Sequence, residues 1–175
     1  LERVRTRVLA MGGLVEELLA KAVNALIEGD STLGESLAKD DLAVNGMEVA
    51  IDEECSRILA TRAPTAGDLR LIVAIIKTIT DIERIGDEGE KIGNIASRLA
   101  AMERPENKYR EIKHLGRIVS EMVHDSLDAF ARMDAQAALL KSDFATARTY
   151  IEQARAEYKA SPRATMLAGD MAAQQ

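Results

Sequence analysis

The sequence predicts an all-α fold of two helical units in tandem, the first with three helices and the second incomplete. Three observations carry that reading. Alanine occurs 28 times in 175 residues, proline only three times and tryptophan never, and aromatics make up 3 %. β-Sandwiches and barrels need β-branched and aromatic residues with frequent turns, so the composition argues against them. Apolar residues recur at steps of three and four over long stretches, the signature of amphipathic helices. Finally, a shift of 104 residues places Met11-Gly12 on Leu115-Gly116, Val15 on Val119, Glu17 on Glu121, Ala25 on Ala129 and Asp30 on Asp134. That weak repeat sets the expected units at 1–104 and 105–175.

The first helix is expected over 2–28, with Val4, Val8, Met11, Val15, Leu18, Ala22 and Leu26 inward and Gly29-Asp30 as its breaker. The second is expected over 32–61. Thr32 and Glu35 offer a capping box, Leu33, Leu37, Val44, Met47, Ile51 and Ile58 form the stripe, and Asp40-Asp41 leave a polar gap in it. After Pro64 a third helix is expected over 66–102, with Thr65 or Asp68 as its cap. It carries two stripes: Leu69, Ile72, Ile76, Ile79 and Leu71, Ile75, Ile82, Ile85. So broad an apolar face predicts the central helix of a three-helix unit. A fourth helix is expected over 108–133, with Leu115, Val119, Met122 and Phe130 inward. A fifth is expected over 135–160, with Leu140, Phe144, Ala147, Ile151, Ala154 and Tyr158 inward. The first helix already runs at Leu1, which predicts further chain upstream.

With 29 acids against 23 bases the net charge is −6, which gives no general attraction to nucleic acid or to an anionic bilayer. A single cysteine cannot form an internal disulfide or a CxxC metal site, and a reducing cytoplasm is its simplest home. No run of eighteen apolar residues marks a membrane span, and no signal peptide is visible. Cys55 is expected as a small buried hydrophobe. His114 and His124 are expected at the surface or rim.

The sharpest local feature is the segment 81–90, with five acids and one base in ten residues. Continuing the stripe Leu69, Ile72, Ile76, Ile79 lands on Glu83, so carboxylates extend a row that was apolar until then. Glu83 and Asp87 stand at i, i+4 on one face, and Glu48 and Asp52 repeat that spacing on the second helix. Two helices each offering E-x-x-x-D supply four carboxylates to one hard cation or a small cluster. Oxygen ligands suit Mg, Ca, Mn or iron better than a typical zinc site. The competing readings are a solvated acidic face, or neutralisation by Arg57 or Arg84 without metal. Gly86, Gly89 and Gly93 follow at steps of three and four, which predicts close approach of a neighbouring helix rather than a nucleotide loop. No Ser-His-Asp order, Walker sequence or HExxH is present. Carboxylate-bridged enzymes on helical bundles recruit Glu-x-x-His pairs, and the acidic motifs here lack them. Such a metalloenzyme, and a purely structural scaffold, are the alternative readings.

The segments MGGLVEELLAKAVNALIEGD, NGMEVAIDEECSRILATRAPTAGDLRLIVAIIKTITDIERIGDEGEKIGNIA and EIKHLGRIVSEMVHDSLDAFARMDA resemble the PhoU family of bacterial phosphate-uptake regulators. The resemblance covers about residues 4–140 and is most specific from Pro64 to Ile95. It implies two three-helix repeats, and E(D)-x-x-x-D motifs that hold metal clusters in some members. By position it implies Glu48, Asp52, Glu83 and Asp87 as metal ligands, for iron, Mn, Mg or Zn. It further implies a non-enzymatic cytoplasmic adaptor. Its partners would be the phosphate ABC transporter ATPase and a sensor histidine kinase, with membrane association only through them and with self-association into a homo-oligomer such as a dimer. Such an adaptor restrains uptake and represses phosphate-starvation signalling. The second E-R-I-G-D of the family would fall at about residues 187–191, past Gln175. Glu152 stands where the repeat places the partner of Glu48, but Ala156 replaces the partner of Asp52, so a complete second metal site is not expected.

Overall fold

The computed structural model describes residues 1–102 and 109–132. They form four helices and no strand: α1 (Glu2–Glu28), α2 (Ser31–Thr61), α3 (Ala66–Ala100) and α4 (Arg110–Arg132). The fifth expected helix, Glu152, Ala156 and most of the 105–175 unit lie outside the described residues.

Three helix ends follow directly from local chemistry. Gly29 adopts φ 74°, the left-handed conformation that glycine enters without a Cβ penalty, and its N–H closes on the Ala25 carbonyl. One residue later Asp30 is extended, and its carboxylate accepts the Leu33 N–H at 2.9 Å. The cap of α2 is therefore Asp30, not the expected Thr32/Glu35 box, which lies inside the first turn. The tight reversal at Gly29 leaves Asp30 as the single non-helical residue able to cap. At α3 Thr65 caps through the Asp68 N–H at 3.3 Å, while its hydroxyl donates back to the Asp68 carboxylate at 2.9 Å. Both expected capping residues thus take part.

α1, α2 and α3 each pack against the other two, and among the described helices α4 packs on α1 alone. Within the three-helix unit α3 packs on both α1 and α2, as its broad apolar face predicts, and among the described helices α1 also carries α4. The core holds the expected positions of α1, with Val4, Val8, Met11, Val15, Leu18 and Ala22 fully buried. From α3, Ile72, Ile75, Ile79, Ile82 and Ile85 complete it. Leu69 is a correction: it is 44 % exposed, because it sits in the first turn beyond the end of the neighbouring stripes. On α4 the buried row is Val119, Val123, Ser126, Leu127 and Phe130, so Val123 and Leu127 join the expected set, while Leu115 and Met122 are only half-buried. No helix among the described residues is long and apolar enough to cross a membrane.

Candidate functional site

The glycines of α3 set the geometry of the acidic region. A Cβ on Gly93 would meet Leu37 and would lie 2.9 Å from the Gly34 carbonyl, and one on Gly34 would lie 2.6 Å from the Gly93 carbonyl. Only two bare Cα atoms let these backbones approach so closely. One turn earlier, Gly89 accepts Leu18 of α1. One turn earlier again, a Cβ on Gly86 would lie 3.3 Å from Asp41 Oδ1 and 3.4 Å from Val44. The expected close approach is present on two sides: α2 at Gly86 and Gly93, α1 at Gly89.

Asp41 is the residue that this packing buries. It is only 6 % exposed; its Oδ2 accepts from Asn45 Nδ2 at 3.0 Å, and its Oδ1 has no hydrogen-bond partner. Burial pushes its carboxyl above the ordinary range, and the charges of Asp87 and Glu90 add to the shift. The Asn45 hydrogen bond and the Lys91 charge oppose it. The polar gap expected at Asp40-Asp41 is therefore two different things: Asp40 reaches Lys21 on α1 at 2.7 Å, and Asp41 points into the bundle.

Glu48, Asp52, Glu83 and Asp87 are all half-buried. Glu83 is the one the environment disturbs most: burial raises its carboxyl, followed by the charges of Asp87, Glu48 and Asp41, with Arg84 opposing. The fold thus brings Glu83, Asp87 and Glu48 into one electrostatic neighbourhood and adds Asp41. Asp52 acts elsewhere, on Cys55, whose thiol is pushed up by burial and then by Asp52 and Glu54. The donor chemistry fits a hard cation, since all four candidates are carboxylates. Among the described residues, however, no three acidic, histidine or cysteine side chains converge closely enough to hold one, so coordination requires side-chain rotation. Arg57, one of the two candidate neutralising bases, instead sits 3.5 Å from Glu54.

Three acids are buried among the described residues, Glu54, Glu88 and Asp41, and spacing assigned a site role to none of them. Glu54 accepts from Arg7 at 2.7 Å, with Arg3 and Arg57 nearby, and the Arg7 bond holds its carboxyl below the ordinary range. Glu88 is bound by Lys91 at 2.9 Å. Asp41 had a visible signal: it falls four residues after Leu37 and three before Val44, in the apolar stripe of α2. His124, expected at the rim, is exposed and hydrogen-bonds Glu16 of α1 at 2.9 Å. Cys55 is free and fully buried, as expected.

Residues 8–96 match the PhoU domain family model. The chain is 52 % identical over 139 residues to a phosphate-specific transport system accessory protein PhoU homolog of Pseudomonas putida, covering 79 % of this chain and 54 % of that relative. It is 46 % identical over 143 residues to the phosphate-specific transport system accessory protein PhoU of Escherichia coli (strain K12), covering 79 % of this chain and 57 % of that one. The chain spans about half the length of these curated relatives. A crystal structure of PhoU from Pseudomonas aeruginosa superposes with a TM-score of 0.78 at 44 % identity, covering 94 % of this chain and 81 % of that chain. Fold and sequence therefore agree, and the chain belongs to the PhoU family.

Proposed function

We propose that this chain acts as a regulator of phosphate transport: a non-enzymatic cytoplasmic adaptor that restrains the phosphate ABC transporter through its ATPase and holds a sensor histidine kinase in its repressing state. The observation that supports it most is the match of its relatives, named as accessory proteins of the phosphate-specific transport system, over 79 % of this chain. Association with the membrane is indirect, through these partners, and the protein works as a homo-oligomer. Glu48, Asp52, Glu83 and Asp87 take a divalent or iron cation that ties α2 to α3.

Expression of the chain in phosphate-replete bacteria lacking their own PhoU protein tests the role. Restored repression of a phosphate-starvation reporter, together with recovery of the transporter ATPase on the purified chain, is expected. A folded, abundant chain that leaves the reporter derepressed and binds neither partner overturns the proposal.

A further inference from the structure

A groove of about 530 Å³ opens where the C-terminal half of α1 meets the N-terminal half of α4. Its two walls differ in kind. The α1 wall carries Ala20, Val23 and Ile27, an apolar strip at helical spacing, with the polar Asn24 at its edge. The α4 wall carries Arg110, Lys113 and Arg117, with His114 beside them, all exposed. Among the described lining residues none is acidic, on a chain whose net charge is −6. Arg117 shares its charge with Glu121 on the same helix. Gly116 seats Val23, so the two helices approach closely where both walls meet.

The arrangement selects an occupant. The cationic positions span seven residues, or about 10 Å of helix axis, so they do not converge on one compact anion. A bare polyanion would use the cationic wall and leave the apolar one wet. A helix with an apolar face flanked by acids uses both, the helix-in-groove mode of recognition. We propose that this groove docks an acidic amphipathic helix of a partner protein, its apolar face on Ala20, Val23 and Ile27 and its carboxylates on Arg110, Lys113 and Arg117. The chain as a whole is acidic, so a cationic wall free of acids beside an apolar strip favours this docking position over the average surface.

Fluorescence anisotropy with the full chain tests this. The probe is a labelled 18-residue peptide of leucine and glutamate in helical amphipathic order. The control is the same composition scrambled so that no apolar face forms. Saturable binding of the ordered peptide, at least tenfold tighter than the scrambled one, is expected. Arg110→Glu with Lys113→Glu should weaken it tenfold or more, and so should Ala20→Glu, an exposed position whose variant keeps the helical circular-dichroism signal. Equal binding of the scrambled peptide, stronger binding of inorganic polyphosphate, or indifference to both variants overturns the proposal. A change of molar mass in light scattering on charge reversal overturns it in favour of a second copy in the groove. None of these readouts depends on phosphate transport, so the two proposals fail separately.

Discussion

Asp41 stores an unfavourable charge in the middle of the bundle. Its raised carboxyl means that the folded chain holds this proton more tightly than the unfolded chain does. The associated stability is therefore complete below the ordinary value of 3.8 and is lost as pH rises from there through the raised value. Asp41→Asn fixes the neutral form, so its melting temperature should exceed that of the parent at pH 7, with the gain shrinking to nothing in acid. A thermal-melt series from pH 3 to pH 7 checks this, and a gain that persists unchanged at pH 3 contradicts it. Glu83 lies in the same neighbourhood with the same sign of shift. If a cation relieves this crowding, metal analysis of the purified chain should find a divalent or iron species, and Glu83→Ala with Asp87→Ala should lose it. A chain that binds no metal and melts identically with and without chelator removes the metal site. The E-x-x-x-D spacing made four carboxylates legible in the sequence. The spacing of α2 also placed Asp41 in its apolar stripe, but not what it meets there, because that neighbour is Gly86 on another helix.

Helices were legible almost to the residue, because the 3.6-residue period and the breakers Gly29 and Pro64 act locally. Their partners were not, since a broad apolar face says how much is buried but not by which helix. The glycines of α3 come between the two: their spacing announced a close approach, and only the packed structure distributes it between α1 and α2. Gly93 and Gly46 separate backbone propensity from packing. A Cβ at Gly46 meets nothing within 4 Å, so Gly46→Ala should gain up to about 1 kcal/mol from helix propensity alone. A Cβ at Gly93 collides with Leu37 and with the Gly34 carbonyl, and a backbone carbonyl cannot swing aside as a side-chain tip can. Overpacking of this kind costs about 1–3 kcal/mol, which outweighs the propensity gain over most of that range. Urea denaturation of the two variants should therefore shift in opposite directions. A stabilised Gly93→Ala would show that α2 and α3 separate at little cost.

Among the described residues α4 joins the three-helix unit at the α1–α4 seam, and that seam has an internal symmetry. Gly12 of α1 seats Leu127 of α4, while Gly116 of α4 seats Val23 of α1. Under the 104-residue offset Gly12 corresponds to Gly116 and Val23 to Leu127, so the two contacts are one contact made twice, as across a two-fold axis. The pairs Arg5–Ala131 and Glu16–His124 run in the same antiparallel order. Reciprocal contacts follow from any antiparallel pair of helices, and what matches the 104-residue offset beyond that is the glycine at both ends of the exchange. The polar pair does not repeat, because the offset turns Glu16 and His124 into Ser120 and Ala20. That single pair makes the seam sensitive to pH. The Glu16 hydrogen bond raises the His124 imidazole above its ordinary 6.5. Its contribution is thus complete below that value and is lost as pH rises through the raised one. Because α4 touches no other described helix, its release leaves the three-helix unit intact. Amide exchange in α4, corrected for intrinsic base catalysis, should accelerate across this interval while α1, α2 and α3 stay protected. Glu16→Gln should lower the His124 titration midpoint measured by NMR and flatten the pH dependence of α4 exchange. If α4 exchange follows the rest of the bundle at every pH, the seam opens only on global unfolding and the pair has no separate role.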